Sequence, residues 1–135
     1  MSFGDAIRVC FSKYANFNGR ASRSEFWWFY LFGAIVSMAL ALPYYGLAIG
    51  GSLVTDDSAA TVLLIVSGIW LLVWVAVCIA LAIPLYAAGC RRLHDSGKSG
   101  WLLLLIFVPC GGLALLVMWV LDGTPGDNVF GPPPR

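Results

Sequence analysis

The residues best suited to chemistry stand close together in the segment 90–100. They are Arg91, Arg92, His94, Asp95 and Lys98. Guanidinium groups bind phosphate oxygens through paired hydrogen bonds, and clustered cations bind anionic headgroups. The segment is therefore a candidate anion-binding site, to which the cations Arg20 and Arg23 of the N-terminal segment would contribute. The simpler interpretation, which the residue types favour, is that Arg91 and Arg92 only cap a helix end and orient the chain.

Catalytic and metal chemistry find little support in the residue types. The chain has one histidine, and its four cysteines include no Cys-x-x-Cys pair, so no metal site, cofactor or catalytic residue is predicted. An interfacial enzyme with His94 and Asp95 as acid and base is the weakest of the functional alternatives, since one short segment offers no further catalytic partner.

Composition sets the environment in which these residues work. Of 135 residues, 60% are hydrophobic and 11% charged, and the net charge is +1. A soluble domain has about 25% charged residues. The composition excludes an ordinary soluble enzyme and a disordered tail, and the low net charge argues against a nucleic-acid partner.

The charges are absent from three long runs, at 26–55, 58–90 and 99–121. A bilayer core of about 30 Å needs about 20 apolar helical residues, and each run is long enough. We therefore predict an all-α integral membrane protein, one domain over 1–135, with membrane segments at about 26–49, 61–89 and 101–121.

The third segment is interrupted by Pro109 to Gly112. It is read either as one kinked helix that crosses the bilayer or as a re-entrant hairpin with two short arms. The residue pattern favours the kinked helix. The turn-rich tail at 122–135 would lie on a side that depends on this choice.

The N-terminal segment predicts a short amphipathic helix at about 3–15, lying in the membrane interface or packed on the protein's own helices. Ser22 and Glu25 then form a capping-box pattern before the first apolar run. We expect Glu25 to be a structural cap rather than a catalytic group, and the alternative is a charge-dependent role such as pairing with Arg91 or Arg92.

Orientation follows from the distribution of Lys and Arg. The basic residues lie in 1–25 and 90–100, whereas the loop at 51–60 has only Asp56 and Asp57. Basic segments stay on the cytoplasmic side. The sequence thus predicts an inner-membrane protein that passes the bilayer several times, with a cytoplasmic N-terminus.

Three motifs in order resemble those of the bacterial membrane family called domain of unknown function 805. They are FNGRASRSEFW at 17–27, RRLHDSGKSGW at 91–101 and GDNVFGP at 126–132. The resemblance covers most of the chain and implies a small multi-pass inner-membrane protein. It carries no catalytic residues with it, and it makes the tail look patterned rather than loose.

The favoured function is a non-enzymatic membrane protein that binds an anionic phospholipid or a membrane partner through the segment 90–100. The alternative is a small transporter or channel subunit that acts as a homo-oligomer. The lack of ionisable residues inside the spans counts against ion coupling.

Overall fold

The computed structural model describes residues 1–134, and these are helical apart from loops and turns. The elements are α1 (Phe3–Ser12), α2 (Arg23–Leu53), α3 (Asp57–Asp95), a 3₁₀ helix (Gly100–Phe107) and α4 (Gly111–Val120). Among the described residues there is no β-strand, only an isolated bridge between Asn128 and Gly131. The predicted all-α class is therefore confirmed.

Helices α2 and α3 are long and apolar enough to cross a membrane, and they contain the first two predicted segments. Their mean hydropathies over the most apolar stretch are 1.7 and 2.8. Ser22 begins α2, since its hydroxyl accepts a hydrogen bond from the Glu25 amide at 3.1 Å. Asp56 begins α3 in the same way, through the Ala59 amide at 2.7 Å.

The chain divides into two compact units, Phe32–Leu81 and the combination of Met1–Leu31 with Ala82–Arg135. In the central unit, Phe32–Leu81, the indole N–H groups of two tryptophans have acceptors. Trp70 donates to the carbonyl of Leu40 at 2.8 Å, and Trp74 to the hydroxyl of Ser37 at 3.2 Å. Such bonds satisfy polar groups that apolar surroundings would leave unpaired.

The other unit, Met1–Leu31 with Ala82–Arg135, is called the terminal unit. In it, α3 continues beyond the predicted end of its membrane segment, to Asp95. The segment 90–100 is therefore mostly helix rather than loop. Gly97, two residues beyond the end of α3, turns the chain with a φ of +71° that suits glycine. The Gly97 and Lys98 amides donate to the carbonyls of His94 and Leu93. Arg91, Arg92, His94 and Asp95 are thereby fixed on the last turns of α3.

The region 101–121 is broken, and the favoured single kinked helix is not what forms. The 3₁₀ helix ends at Phe107, Cys110 takes a left-handed φ of 63°, and α4 begins at Gly111. Pro109 has no backbone N–H with which to donate a helical hydrogen bond. A Cβ on Gly111 would overlap the carbonyl of Leu105, so glycine lets α4 pack back on the 3₁₀ helix.

Helix α1 packs on the first turns of α2 in the same unit. Ala6 and Cys10 are buried, and the rings of Phe3 and Trp28 meet edge to face at 5.8 Å. Phe11 makes a similar edge-to-face contact with Phe29 of α2, with centroids 5.5 Å apart. The predicted amphipathic helix therefore exists, three residues shorter than expected, and it is packed against the protein itself.

Candidate functional site

The centre of the terminal unit is a buried ionic cluster. Its members are Arg20, Glu25, Arg91, Arg92 and Asp95, each 7% exposed or less. They come from the loop before α2, the first turn of α2 and the last turns of α3. Ions removed from water are tolerated only where partners replace the lost hydration.

Asp95 holds two guanidinium groups. Its Oδ1 accepts from Arg20 Nε at 2.9 Å, and its Oδ2 accepts from Arg92. Arg92 lies one turn earlier on α3, whereas Arg20 is 75 positions away in the chain. The carboxylate therefore joins the N-terminal loop to the end of α3.

Glu25 holds the third guanidinium group. Its Oε1 lies 2.8 Å from Nη2 of Arg91, and both side chains are 4% exposed or less. Arg91 also donates to the Asn16 carbonyl at 2.6 Å, while its Nε has no partner. The Glu25 carboxylate thus faces Arg91 rather than the amide of Ser22, which is the partner that the capping-box pattern predicted.

The tail is ordered by the same arginines. Arg20 donates to the carbonyls of Thr124 and Gly126, both at 2.7 Å. Arg92 donates to the carbonyls of Trp119, at 3.0 Å, and Leu121. Both ends of the region 101–121 consequently lie beside the last turns of α3, since Gly100 is next to Cys90 there.

Backbone carbonyls in the last turns of α3 accept hydrogen bonds from distant parts of the chain. The Ala21 amide donates to Arg91 at 3.1 Å, and the Thr124 amide donates to Asp95 at 2.8 Å. The side-chain amide of Asn128 donates to His94 at 2.9 Å. The N-terminal loop and the tail thus both hydrogen-bond to the C-terminal end of α3, where a helix has carbonyls with no partner of its own.

His94 is held on three sides. Its Nδ1 lies 3.1 Å from the Gly19 carbonyl, its Nε2 lies 3.6 Å from Cys90 Sγ, and its ring stacks on Phe130 with centroids 3.9 Å apart. A carbonyl only accepts, so Nδ1 carries a proton and, in neutral imidazole, Nε2 does not. This assignment follows from the hydrogen-bond partners.

Cys10, on α1, lies beside the cluster, with its Sγ 4.0 Å from the backbone carbonyl oxygen of Glu25. Burial raises the pKa of its thiol to about 12, and the negative charge of Glu25 adds to the effect. The thiol therefore stays neutral across physiological pH.

Two of the predicted binding residues remain outside the cluster. Arg23 is half exposed and pairs with the exposed Asp122. Lys98 is partly exposed, with no ion pair to another residue of the described chain. The structure thus brings together Arg20, Arg91, Arg92, His94 and Asp95, and leaves Arg23 and Lys98 at the surface.

The buried guanidinium groups have little capacity for an outside anion. Arg20 and Arg92 donate hydrogen bonds to the Asp95 carboxylate and to at least four backbone carbonyls. Arg91 is only 1% exposed, so solvent and ligands have little access to it. Among residues 1–134, no group of three or more His, Cys, Asp and Glu side chains could hold a metal ion.

The sequence raised the pairing of Glu25 with Arg91 or Arg92 only as the alternative to a cap, and it gave no sign of the roles of Asn128 and Phe130. The three family-like motifs contained the signal, since Glu25 lies in the first, Arg91 in the second and Asn128 in the third. No spacing rule, however, pairs residues from separate motifs.

Curated relatives are similar along almost the whole chain. Inner membrane protein YhaI of Escherichia coli (strain K12) is 35% identical over 133 residues, covering 91% of this chain and 89% of its own length. Inner membrane protein YhaH of the same strain is 33% identical over 124 residues, covering 91% and 90%. No solved structure matches.

The family comparison agrees with the motifs. The profile described as "Protein of unknown function (DUF805)" matches residues 14–132, which include all three of them. Together with the two long apolar helices, this match supports the transmembrane, inner-membrane class predicted from composition. The chain belongs to the DUF805 family.

Proposed function

We propose that the protein is a non-enzymatic, multi-pass inner-membrane protein that binds anionic phospholipid at its cytoplasmic face. Helices α2 and α3 cross the bilayer, and the 3₁₀ helix and α4 form a re-entrant hairpin. Support for the hairpin comes from its arms of 8 and 10 residues, each too short to span, and from its two ends beside α3. Support for the orientation comes from the basic residues of 1–25 and 90–100.

The lipid-binding surface in this proposal is α1 rather than the buried arginines. Arg8 on α1 and Lys13, the residue that caps the end of α1, are both exposed, and neither forms an ion pair with another described residue. Two aromatic rings of the same helix, Phe3 and Phe11, are 38% and 42% exposed. Cations beside exposed rings on an interfacial helix are suited to anionic headgroups and the acyl boundary below them.

The observation that carries the proposal is the contrast between the two sets of cations. Arg20, Arg91 and Arg92 are occupied by carboxylates and carbonyls within the chain, whereas Arg8 and Lys13 face outward from a helix anchored by Ala6 and Cys10. The buried cluster therefore serves the architecture, and the exposed cations are available to lipid.

The test is a titration of the purified protein in mild detergent with phosphatidylglycerol or phosphatidylcholine, read by native mass spectrometry. Each cation near a membrane surface contributes about 1 kcal/mol, so Arg8→Gln with Lys13→Gln should weaken phosphatidylglycerol binding by about 30-fold. Arg8→Lys with Lys13→Arg keeps both charges and should bind like the parent chain.

Lys98→Gln is the control for position, because it removes one partly exposed cation that lies outside α1, in the segment 90–100. It should leave lipid binding nearly unchanged. A loss larger than that of the α1 variant would assign binding to the segment 90–100 instead. Equal binding of both lipids by the parent chain would remove the proposal.

A further inference from the structure

Cys90 and His94 form a thiol–imidazole pair that the ionic cluster does not use. They lie one turn apart on α3, with Sγ 3.6 Å from Nε2. Because Nδ1 donates to the Gly19 carbonyl, the unprotonated Nε2 of the neutral ring faces the thiol. A nucleophile, a base and a group that orients the base are thus arranged in sequence.

Burial makes the histidine necessary for any reaction of the thiol. Cys90 is 6% exposed, and a thiolate in such a site is disfavoured unless its proton passes to a neighbouring base. The stacked ring of Phe130, tilted by only 4° from the imidazole plane, keeps His94 in place.

The pair opens on a cavity of about 520 Å³. Ligand pockets commonly measure about 300–1,000 Å³ and are mostly apolar with a few polar groups. Here the apolar part comes from Trp101, Leu103 and Leu104, and the polar part from Asn18 and Ser99. Trp101 is 80% exposed, so the cavity mouth borders the surface of the chain.

Gly100, the first residue of the 3₁₀ helix, lies directly beside the Cys90 thiol. A Cβ at this position would overlap Cys90 Sγ and lie 3.1 Å from His94 Nε2. Glycine therefore lets the chain at the start of the 3₁₀ helix pass close to the thiol and the imidazole, beside the cavity.

We propose that Cys90 is an acyl-acceptor site that takes a long-chain acyl group from an acyl thioester. The thiol passes its proton to His94 Nε2 as Sγ forms a bond to the acyl carbon. The carbon–sulfur bond of the donor then breaks, and the leaving thiolate takes the proton from His94. One thioester is exchanged for another, with no change of oxidation state.

The chemistry of the cavity favours this donor class. An acyl chain suits the apolar wall of Trp101, Leu103 and Leu104, whereas the thioester carbonyl needs only to reach Sγ. The reaction adds one covalent lipid to each chain and involves no turnover, so it is compatible with a non-enzymatic protein.

The test incubates the purified full-length protein with palmitoyl coenzyme A and follows intact mass, with hydroxylamine to identify thioesters. Peptide mapping then assigns the modified cysteine. The other three cysteines are internal controls, and Cys110 is the most informative because it is exposed without a neighbouring histidine. We expect one acyl group per chain, at Cys90.

His94→Asn is the matched variant, because the asparagine amide retains a donor for the Gly19 carbonyl but supplies no base. General-base assistance contributes about 10²-fold or more, so acylation of Cys90 should slow by at least about 100-fold. The competition between Cys90 and Cys110 in the parent chain provides an answer even where this variant does not fold. Acylation of Cys110 as fast as Cys90, or an unchanged rate in folded His94→Asn, would overturn the proposal.

Discussion

Glu25 and Arg91 form an ion pair of 2.8 Å between the first turn of α2 and the last turns of α3, and both side chains are almost completely buried. The pair joins residues 66 positions apart. Opposite charges shielded from water in this way depend on each other, because either one alone would be an uncompensated buried ion.

The first prediction concerns the charge of Glu25. Glu25→Gln retains the shape of the side chain but leaves the Arg91 charge without its carboxylate, so we expect destabilisation by about 3–5 kcal/mol. Ser22→Ala removes only the cap at the start of α2 and should cost about 0.5–2 kcal/mol. Thermal unfolding in detergent compares the two variants. If Glu25→Gln were as stable as the parent chain, Glu25 would act only as a helix cap.

The second prediction concerns the fork of Arg92. Its guanidinium group reaches Asp95 and the carbonyls of Trp119 and Leu121 together, whereas an ammonium is a single compact donor group. Arg92→Lys should therefore release the tail, and limited proteolysis should cut within 122–134 at least several-fold faster.

Arg23→Lys is the control for that experiment, since its ion pair with Asp122 is exposed and exposed pairs contribute about 0–1 kcal/mol. Equal cleavage of the tail in both variants would show that other contacts hold it. Insertion in the membrane should be the same for both, because Lys and Arg count equally in orientation.

The helices were predictable from sequence because bilayer thickness and charge exclusion constrain them strongly. The uncharged runs 26–55 and 58–90 lie largely within α2 and α3. The end of α3 was less predictable, since Arg91 and Arg92 look like loop residues when only charge is considered. Their burial becomes possible through carboxylates and carbonyls from distant segments.

The choice between a kinked helix and a hairpin was beyond local sequence rules. Pro109 and Gly111 permit both, because each rule concerns a few neighbouring residues. The structure places the carbonyls of Trp119 and Leu121, at the end of α4, within reach of Arg92 on α3. No local rule predicts this contact, because it joins residues 27 and 29 positions apart. For the same reason the tail, rich in Gly and Pro, suggested a loose end by composition alone.

The third prediction concerns the side of the membrane on which the tail lies. Val129 is 91% exposed, so Val129→Cys offers a labelling site with little effect on packing. In a background where the native cysteines are replaced, an impermeant thiol reagent should label Ser58→Cys in intact cells and Val129→Cys only after the membrane is opened. Labelling of Val129→Cys in intact cells would indicate that 101–121 crosses the bilayer.

The last prediction concerns Cys10 and pH. Burial and the negative charge of Glu25 raise the pKa of its thiol in the folded chain to about 12, whereas the thiol of an unfolded chain has a pKa near 9.0. The folded state thus favours the protonated form, and the stability gained from it is complete below about pH 9 and is lost as the pH rises towards 12. Cys10→Ala removes this dependence together with the thiol's packing. The free-energy difference between the parent chain and Cys10→Ala, measured by unfolding in detergent, should be constant from pH 6 to 8 and shrink steadily above pH 9. A difference that stayed constant to pH 11 would mean that Cys10 is not shielded from water in the folded protein.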